Sequence, residues 1–126
     1  MGSQSDREIA PQLVGTWSLV ATGAATKTTF HDDGTWLTVM VFRGSVSDLD
    51  LVQKGDHQAE NGRIHYSNAV SQTSKDQGKT WSDWAPSATT SWEELYVIGT
   101  DDVGEYLIAE EDEITEDSVK YRRSSE

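Results

Sequence analysis

The sequence predicts an all-β domain, an antiparallel up-and-down β-barrel of about eight to nine strands. Three observations carry that expectation. Side-chain character alternates with the period of two that belongs to strands. Turn dipeptides rich in Gly punctuate the alternation, and no long helical period occurs in the 126 residues. Many short antiparallel strands need a sandwich or closure into a barrel to remove their open edges.

The elements follow in order. Ser5-Asp6-Arg7-Glu8 has the form of a capping box, with Ile9 and Leu13 spaced i, i+4 and Pro11 limiting the segment to about a turn. Residues 1–10 are expected as either a short capping helix or a disordered tail carrying expression-tag remnants, ahead of a barrel domain over 11–126. The first strand, Leu13 to Ala21, sets Leu13, Gly15, Trp17, Leu19 and Ala21 on one face. Asp33-Gly34 joins Thr26–Phe30 to Thr35–Arg43, and Asn61-Gly62 joins a strand near Asp56 to one running from Ile64 to about Thr73. Gly accepts the positive φ of a primed turn, so both dipeptides predict hairpins. Further turns are expected at Lys75–Lys79 and Asp101–Gly104, and the last strand at Val119–Arg123.

Composition bounds the function. With 35% hydrophobic and 25% charged residues the chain can bury a core, so disorder is excluded. The longest apolar stretch, Leu37 to Phe42, is far short of the roughly 20 residues a membrane helix needs. The formal charge is −12, and from Asp101 to Asp117 there are nine acids and no Lys or Arg. Such a surface repels phosphate backbones and anionic lipid, so neither nucleic acid nor membrane is an expected partner. The absence of Cys excludes disulfides, a thiol nucleophile and thiolate metal sites. The amino terminus has no basic region followed by an apolar core. A cytoplasmic location is therefore expected, although a trimmed secreted form would look the same.

Three segments carry a resemblance. Leu13-Val14-Gly15-Thr16-Trp17-Ser18-Leu19-Val20 resembles the Gly-x-Trp opening strand of the lipocalin-like (calycin) superfamily. Phe30-His31-Asp32-Asp33-Gly34-Thr35-Trp36 resembles the second hairpin of small lipocalin-like domains, and Tyr121-Arg122-Arg123 the closing strand. The resemblance implies that Trp17, with Arg122 or Arg123 over its ring, closes one end of the barrel. It also implies an interior that holds a small molecule, as in binding proteins or in cyclases and isomerases of natural-product biosynthesis.

The candidate site residues come from register. With Asn61-Gly62 as a two-residue loop, His57 faces Tyr66 and both share the interior face with Ala59 and Ile64. His57 and Tyr66 are thus the candidate ligand anchors and, if the protein is an enzyme, its acid/base pair. The same reasoning on Asp33-Gly34 pairs His31 with Trp36. Phe30, Leu37, Val39 and Val41 then share one face, and His31, Trp36, Thr38, Met40 and Phe42 the other. With both faces apolar, one is expected to line a cavity and the other to pack or to meet a second subunit across residues 36–42. Phe30, Trp36, Met40, Trp81, Trp92 and Tyr96 join His57 and Tyr66 as candidate ligand contacts, because aromatic and thioether groups suit an apolar or aromatic ligand.

Two other motifs point elsewhere. Ser74-Lys75-Asp76-Gln77-Gly78-Lys79-Thr80-Trp81 matches the Asp-box pattern S-x-D-x-G-x-T-W, which builds a hairpin turn. One copy in a chain of this length cannot make a propeller, so only the turn is carried over. The run Glu110-Glu111-Asp112-Glu113 lacks the Gly and alternating spacing of a calcium loop and is expected as a solvated loop. No phosphate-binding, dinucleotide-binding or zinc-protease motif occurs, so neither cofactor nor metal is expected. Three functions remain open: binding of a small hydrophobic or aromatic molecule, a cofactor-independent cyclase or isomerase, and an oligomerising interaction protein.

Overall fold

The described residues form nine antiparallel strands, a closed barrel of eight plus one short addition. A computed structural model describes residues 12–21, 23–44 and 48–123. The strands are β1 (Gly15–Ala21), β2 (Ala24–Phe30), β3 (Thr35–Arg43), β4 (Asp48–Glu60), β5 (Arg63–Ser74), β6 (Ala85–Pro86), β7 (Trp92–Thr100), β8 (Glu105–Glu110) and β9 (Tyr121–Arg123). Neighbours follow chain order, β9 pairs with β1, and the meander therefore closes on itself. Closure gives each of the eight strands a neighbour on both sides over at least part of its length. β6 lies against the second half of β5, whose first half pairs with β7. Among the described residues there is no helix, and the capping box at Ser5–Glu8 lies outside them.

The two hairpins differ in an instructive way. Asn61 and Gly62 both have positive φ, 52° and 77°, and the pairs Glu60–Arg63, Ala59–Ile64, Gln58–His65 and His57–Tyr66 follow. That is the register expected of a two-residue primed turn. The Asp33-Gly34 hairpin departs from expectation. His31 donates its N–H to the Thr35 carbonyl at 2.9 Å, Gly34 takes φ 92°, and Phe30 pairs with Trp36. The loop has one residue more than the two-residue reading, and Asp33 Oδ1 holds it by accepting from Thr35 N and Oγ1. A shift of one residue exchanges the faces. Phe30 therefore shares the inward face with Trp36, Thr38 and Met40, while Leu37, Val39 and Val41 face outward.

A bulge re-aims β5. Lys54 pairs with Val70 and Asp56 with Ser67, so Asn68 and Ala69 together oppose Gly55. Asn68 accepts the left-handed conformation at φ 55°, which a short polar side chain tolerates. A β-carbon on Gly55 would stand 2.6 Å from the Ser67 carbonyl oxygen. After the bulge the inward residues of β5 switch from Ile64 and Tyr66 to Ala69 and Ser71.

One end of the barrel is sealed. Leu13 and Trp17 are fully buried, and the Trp17 indole N–H donates to the Leu13 carbonyl at 3.0 Å. The Arg123 guanidinium lies over the Trp17 ring, 4.2 Å from its centroid, and donates to the carbonyls of Val14 and Gln12. It joins a cation–π contact to satisfied backbone acceptors. A β-carbon on Gly15 would lie 2.5 Å from that guanidinium, which is why Gly stands two residues before the Trp. Arg122 points to the other side of β9, where both of its terminal nitrogens donate to Asp101.

The Asp-box is a self-contained turn at the opposite end. Asp76 accepts from the hydroxyl and N–H of Thr80 and from the Ser74 hydroxyl, bonds that hold its pKa down at about 2. Ser74 Oγ in turn accepts from Gly78 N at 2.8 Å.

Candidate functional site

Alternation along the strands decides which side chains meet inside. β2 contributes Thr26, Thr28 and Phe30, and β3 contributes Trp36, Thr38 and Met40. Gln53, Tyr66, Trp92, Glu94, Leu107, Ala109 and Tyr121 complete the lining of a cavity of about 130 Å³. Its walls are set by ring geometry. Tyr66 stacks on Trp92 at 4.9 Å, and Trp36 stands nearly perpendicular to both, at 5.3 Å from Tyr66 and 6.0 Å from Trp92. Such offset and perpendicular contacts favour one fixed arrangement of the rings. The Trp36 indole N–H is satisfied by the Asp56 carbonyl at 3.0 Å, so it does not reach into the space.

Several of the polar side chains in the lining are paired. Thr28 and Thr38 share a hydroxyl–hydroxyl hydrogen bond at 2.9 Å across β2 and β3. Gln53 donates to the Ser87 hydroxyl at 2.9 Å. The Tyr66 hydroxyl donates to Glu94 Oε1 at 3.0 Å, which makes Glu94 the one acidic side chain in the lining. Burial pushes the Glu94 carboxyl above its ordinary range; hydrogen bonds from Tyr66 and Trp92 oppose the rise, and the charges of Glu111 and Glu110 add to it. The Tyr66 phenol is driven well above 10 by burial first and by the Glu94 charge second. Tyr121 is raised by the same two causes in the same order. Both phenols are therefore donors at neutral pH.

The cavity opens at the end away from Trp17. A vestibule shares Gln53, Trp92 and Glu94 with it and is bordered by Leu51, Ser71, Glu111 and the loop residues Ser87, Ala88 and Thr89. That loop is pinned by Ser87 N to the Ala69 carbonyl and by the Thr90 carbonyl to Ala69 N. The acidic stretch from Glu110 to Asp117 forms the connection between β8 and β9 at the same end.

The structure brings together Phe30, Trp36, Met40, Tyr66 and Trp92 of the candidate ligand contacts and leaves three outside the lining. His57 is buried near the sealed end, T-shaped against Phe30 at 5.1 Å, with Nε2 at 3.0 Å from the His31 carbonyl. That partner is an acceptor, so Nε2 carries the proton and Nδ1 is left buried without a hydrogen bond. Burial depresses the His57 pKa, so the ring is neutral and staples the β2–β3 hairpin to β4. Tyr96 packs against the core, and Trp81 is half-exposed beside the Asp-box. Glu94, Gln53, Tyr121 and the threonines were not among the candidates. The alternation Trp92, Glu94, Tyr96 already places an acid on an aromatic face, and Tyr121 lies two residues before Arg123 on β9. Those were the available signals.

Among the described residues no group of three or more His, Asp or Glu is arranged to hold a metal ion. Comparison with protein-family models, curated proteins and solved structures finds no significant match for this chain. The closed eight-stranded barrel is compatible with a lipocalin-like fold, and kinship with the calycin superfamily rests on the sequence resemblance alone.

Proposed function

We propose that the protein binds a small molecule with an apolar or aromatic body inside the barrel. The carrying observation is the cavity itself, walled by Trp36, Tyr66 and Trp92 and adjoining the vestibule through Gln53, Trp92 and Glu94. At about 130 Å³ it suits one compact group, since a cavity of about 150 Å³ accepts benzene. Native mass spectrometry of the purified protein, with tryptophan fluorescence during titration with phenol, tests the reading. A co-purifying small molecule, or a saturable fluorescence change that Trp92→Ala abolishes, is expected. A protein that carries nothing and does not respond to phenol would sink it.

The Tyr66–Glu94 pair favours a second reading, proton-transfer catalysis of an isomerisation or cyclisation. A carboxylate with a raised pKa beside a phenol donor is suited to removing a carbon-bound proton near neutral pH. Nitrobenzisoxazole, which opens to a cyanophenolate when a base takes its ring proton, provides the assay. Turnover lost in Glu94→Gln supports this reading, and turnover no faster than in buffer rules it out.

A further inference from the structure

We infer that the bound molecule is an organic cation, an ammonium whose alkyl groups meet the aromatic wall of Trp36, Tyr66 and Trp92 and whose charge meets the Glu94 carboxylate. This rests on the cavity-binding reading above and specifies the ligand's chemistry. Among the described residues that line the cavity, one is acidic and none is Lys, Arg or His. The aromatic rings meet nearly at right angles, 81° between Trp36 and Tyr66 and 77° between Trp36 and Trp92. Rings set in two planes therefore border the cavity, and an aromatic wall attracts a cation held against it.

Glu94 supplies the second argument. Its carboxyl lies in the cavity wall with the Tyr66 hydroxyl as a hydrogen-bond donor, and burial disfavours its charged form unless a positive charge stands beside it. A cation would supply that charge. The route inward supplies the third. Glu111 borders the vestibule, the β8–β9 connection adds Glu110, Asp112, Glu113, Glu116 and Asp117 at the same end, and the whole chain carries −12. A vestibule lined by acids and by no Lys or Arg concentrates cations and repels anions. The cavity is too small for a large polycycle but takes a trimethylammonium group, with the rest of the molecule in the vestibule.

Ionisation links the cation to pH. The groups facing Glu94 are Tyr66 on β5, Tyr121 on β9, Glu110 on β8 and Glu111 in the loop that follows. Burial holds the phenols protonated and raises the Glu94 carboxyl, so Glu94 is the group whose charged form a cation favours. Affinity should therefore strengthen as pH rises through the Glu94 transition.

Choline and neohexanol, the uncharged analogue in which carbon replaces nitrogen, separate the possibilities. Each is titrated into the wild-type protein near neutral pH with tryptophan fluorescence and calorimetry as readouts. Choline should bind at least about tenfold more tightly than neohexanol, and weaken with added salt. Glu94→Gln should cost choline about tenfold while leaving neohexanol within about twofold. Equal or tighter binding of neohexanol would overturn the cation inference and keep the cavity-binding reading. Failure of choline, neohexanol and phenol alike would overturn both. The wild-type comparison decides the matter even where the variant does not fold.

Discussion

Two regions of the barrel are built from the same residue types and do opposite work. At the sealed end Trp17 is an aromatic ring with every face covered: Leu13 accepts its N–H, and Arg123 lies across it while donating to Val14 and Gln12. Farther along the same core Trp36, Tyr66 and Trp92 touch one another and wall a cavity, with a carboxylate in place of the guanidinium. Aromatic residues that fill a barrel stabilise it. Those that stop short of filling it leave a site, whose buried Glu94 works against stability. The charge that accompanies the rings tells the two apart.

The largest expected effect lies at the sealed end. Trp17→Ala removes a fully buried indole and should lower unfolding free energy by about 3–5 kcal/mol in denaturant titrations, with ligand affinity of the folded fraction unchanged. Loss of affinity in step with stability would break the division between the two regions. Arg123→Met keeps much of the packing over Trp17 but leaves two backbone carbonyls without their donor, and should cost about 1–3 kcal/mol.

The cavity should respond in the other direction. Glu94 has a folded-state pKa above its unfolded value of 4.5, so the folded protein binds that proton more tightly. Stability contributed by the protonated carboxyl is complete below the unfolded value and declines as pH rises through the raised one, with a slope of at most about 1.4 kcal/mol per pH unit. Glu94→Gln should flatten that decline and make the protein more stable than wild type above the window, as read from thermal melts across pH. A variant less stable at every pH would show that Glu94 supports the fold. Asp76→Asn should have the smallest effect, a slight loss of melting temperature at neutral pH. The Asp76 pKa is depressed from 3.8 to about 2, so the wild-type contribution is present above 3.8 and disappears as pH falls through about 2. The variant and wild type should converge below that pH.

Much of the frame was legible in the residues. Period-two alternation marked the strands, Asn61-Gly62 set the β4–β5 register pair by pair, and the Asp-box marked its turn. Asp33-Gly34 misled by one residue, because a Gly with positive φ closes a three-residue hairpin as readily as a two-residue one. That single residue decides whether Phe30 looks into the cavity or away from it. The bulge at Asn68 left no mark on the alternation beyond an Asn able to take positive φ. Glu94 was visible as an acid on the face of Trp92, but its partner Tyr66 lies across the β5–β7 pairing. The segment over 75–91 that joins those strands is too long to set their register.

What the sequence by itself determined is local: strand identity, the turns between neighbours, and an opening Gly-x-Trp that leaves room for an arginine. Each of these depends on a few adjacent residues and their backbone preferences. Tertiary structure alone decided that Arg123 rather than Arg122 covers Trp17, that His57 is spent on a carbonyl near the sealed end, and that Tyr66 meets Glu94. Those outcomes depend on register between strands distant in the chain. Register there is set by how all the inward side chains fill one closed cylinder together, a condition no short stretch of sequence contains.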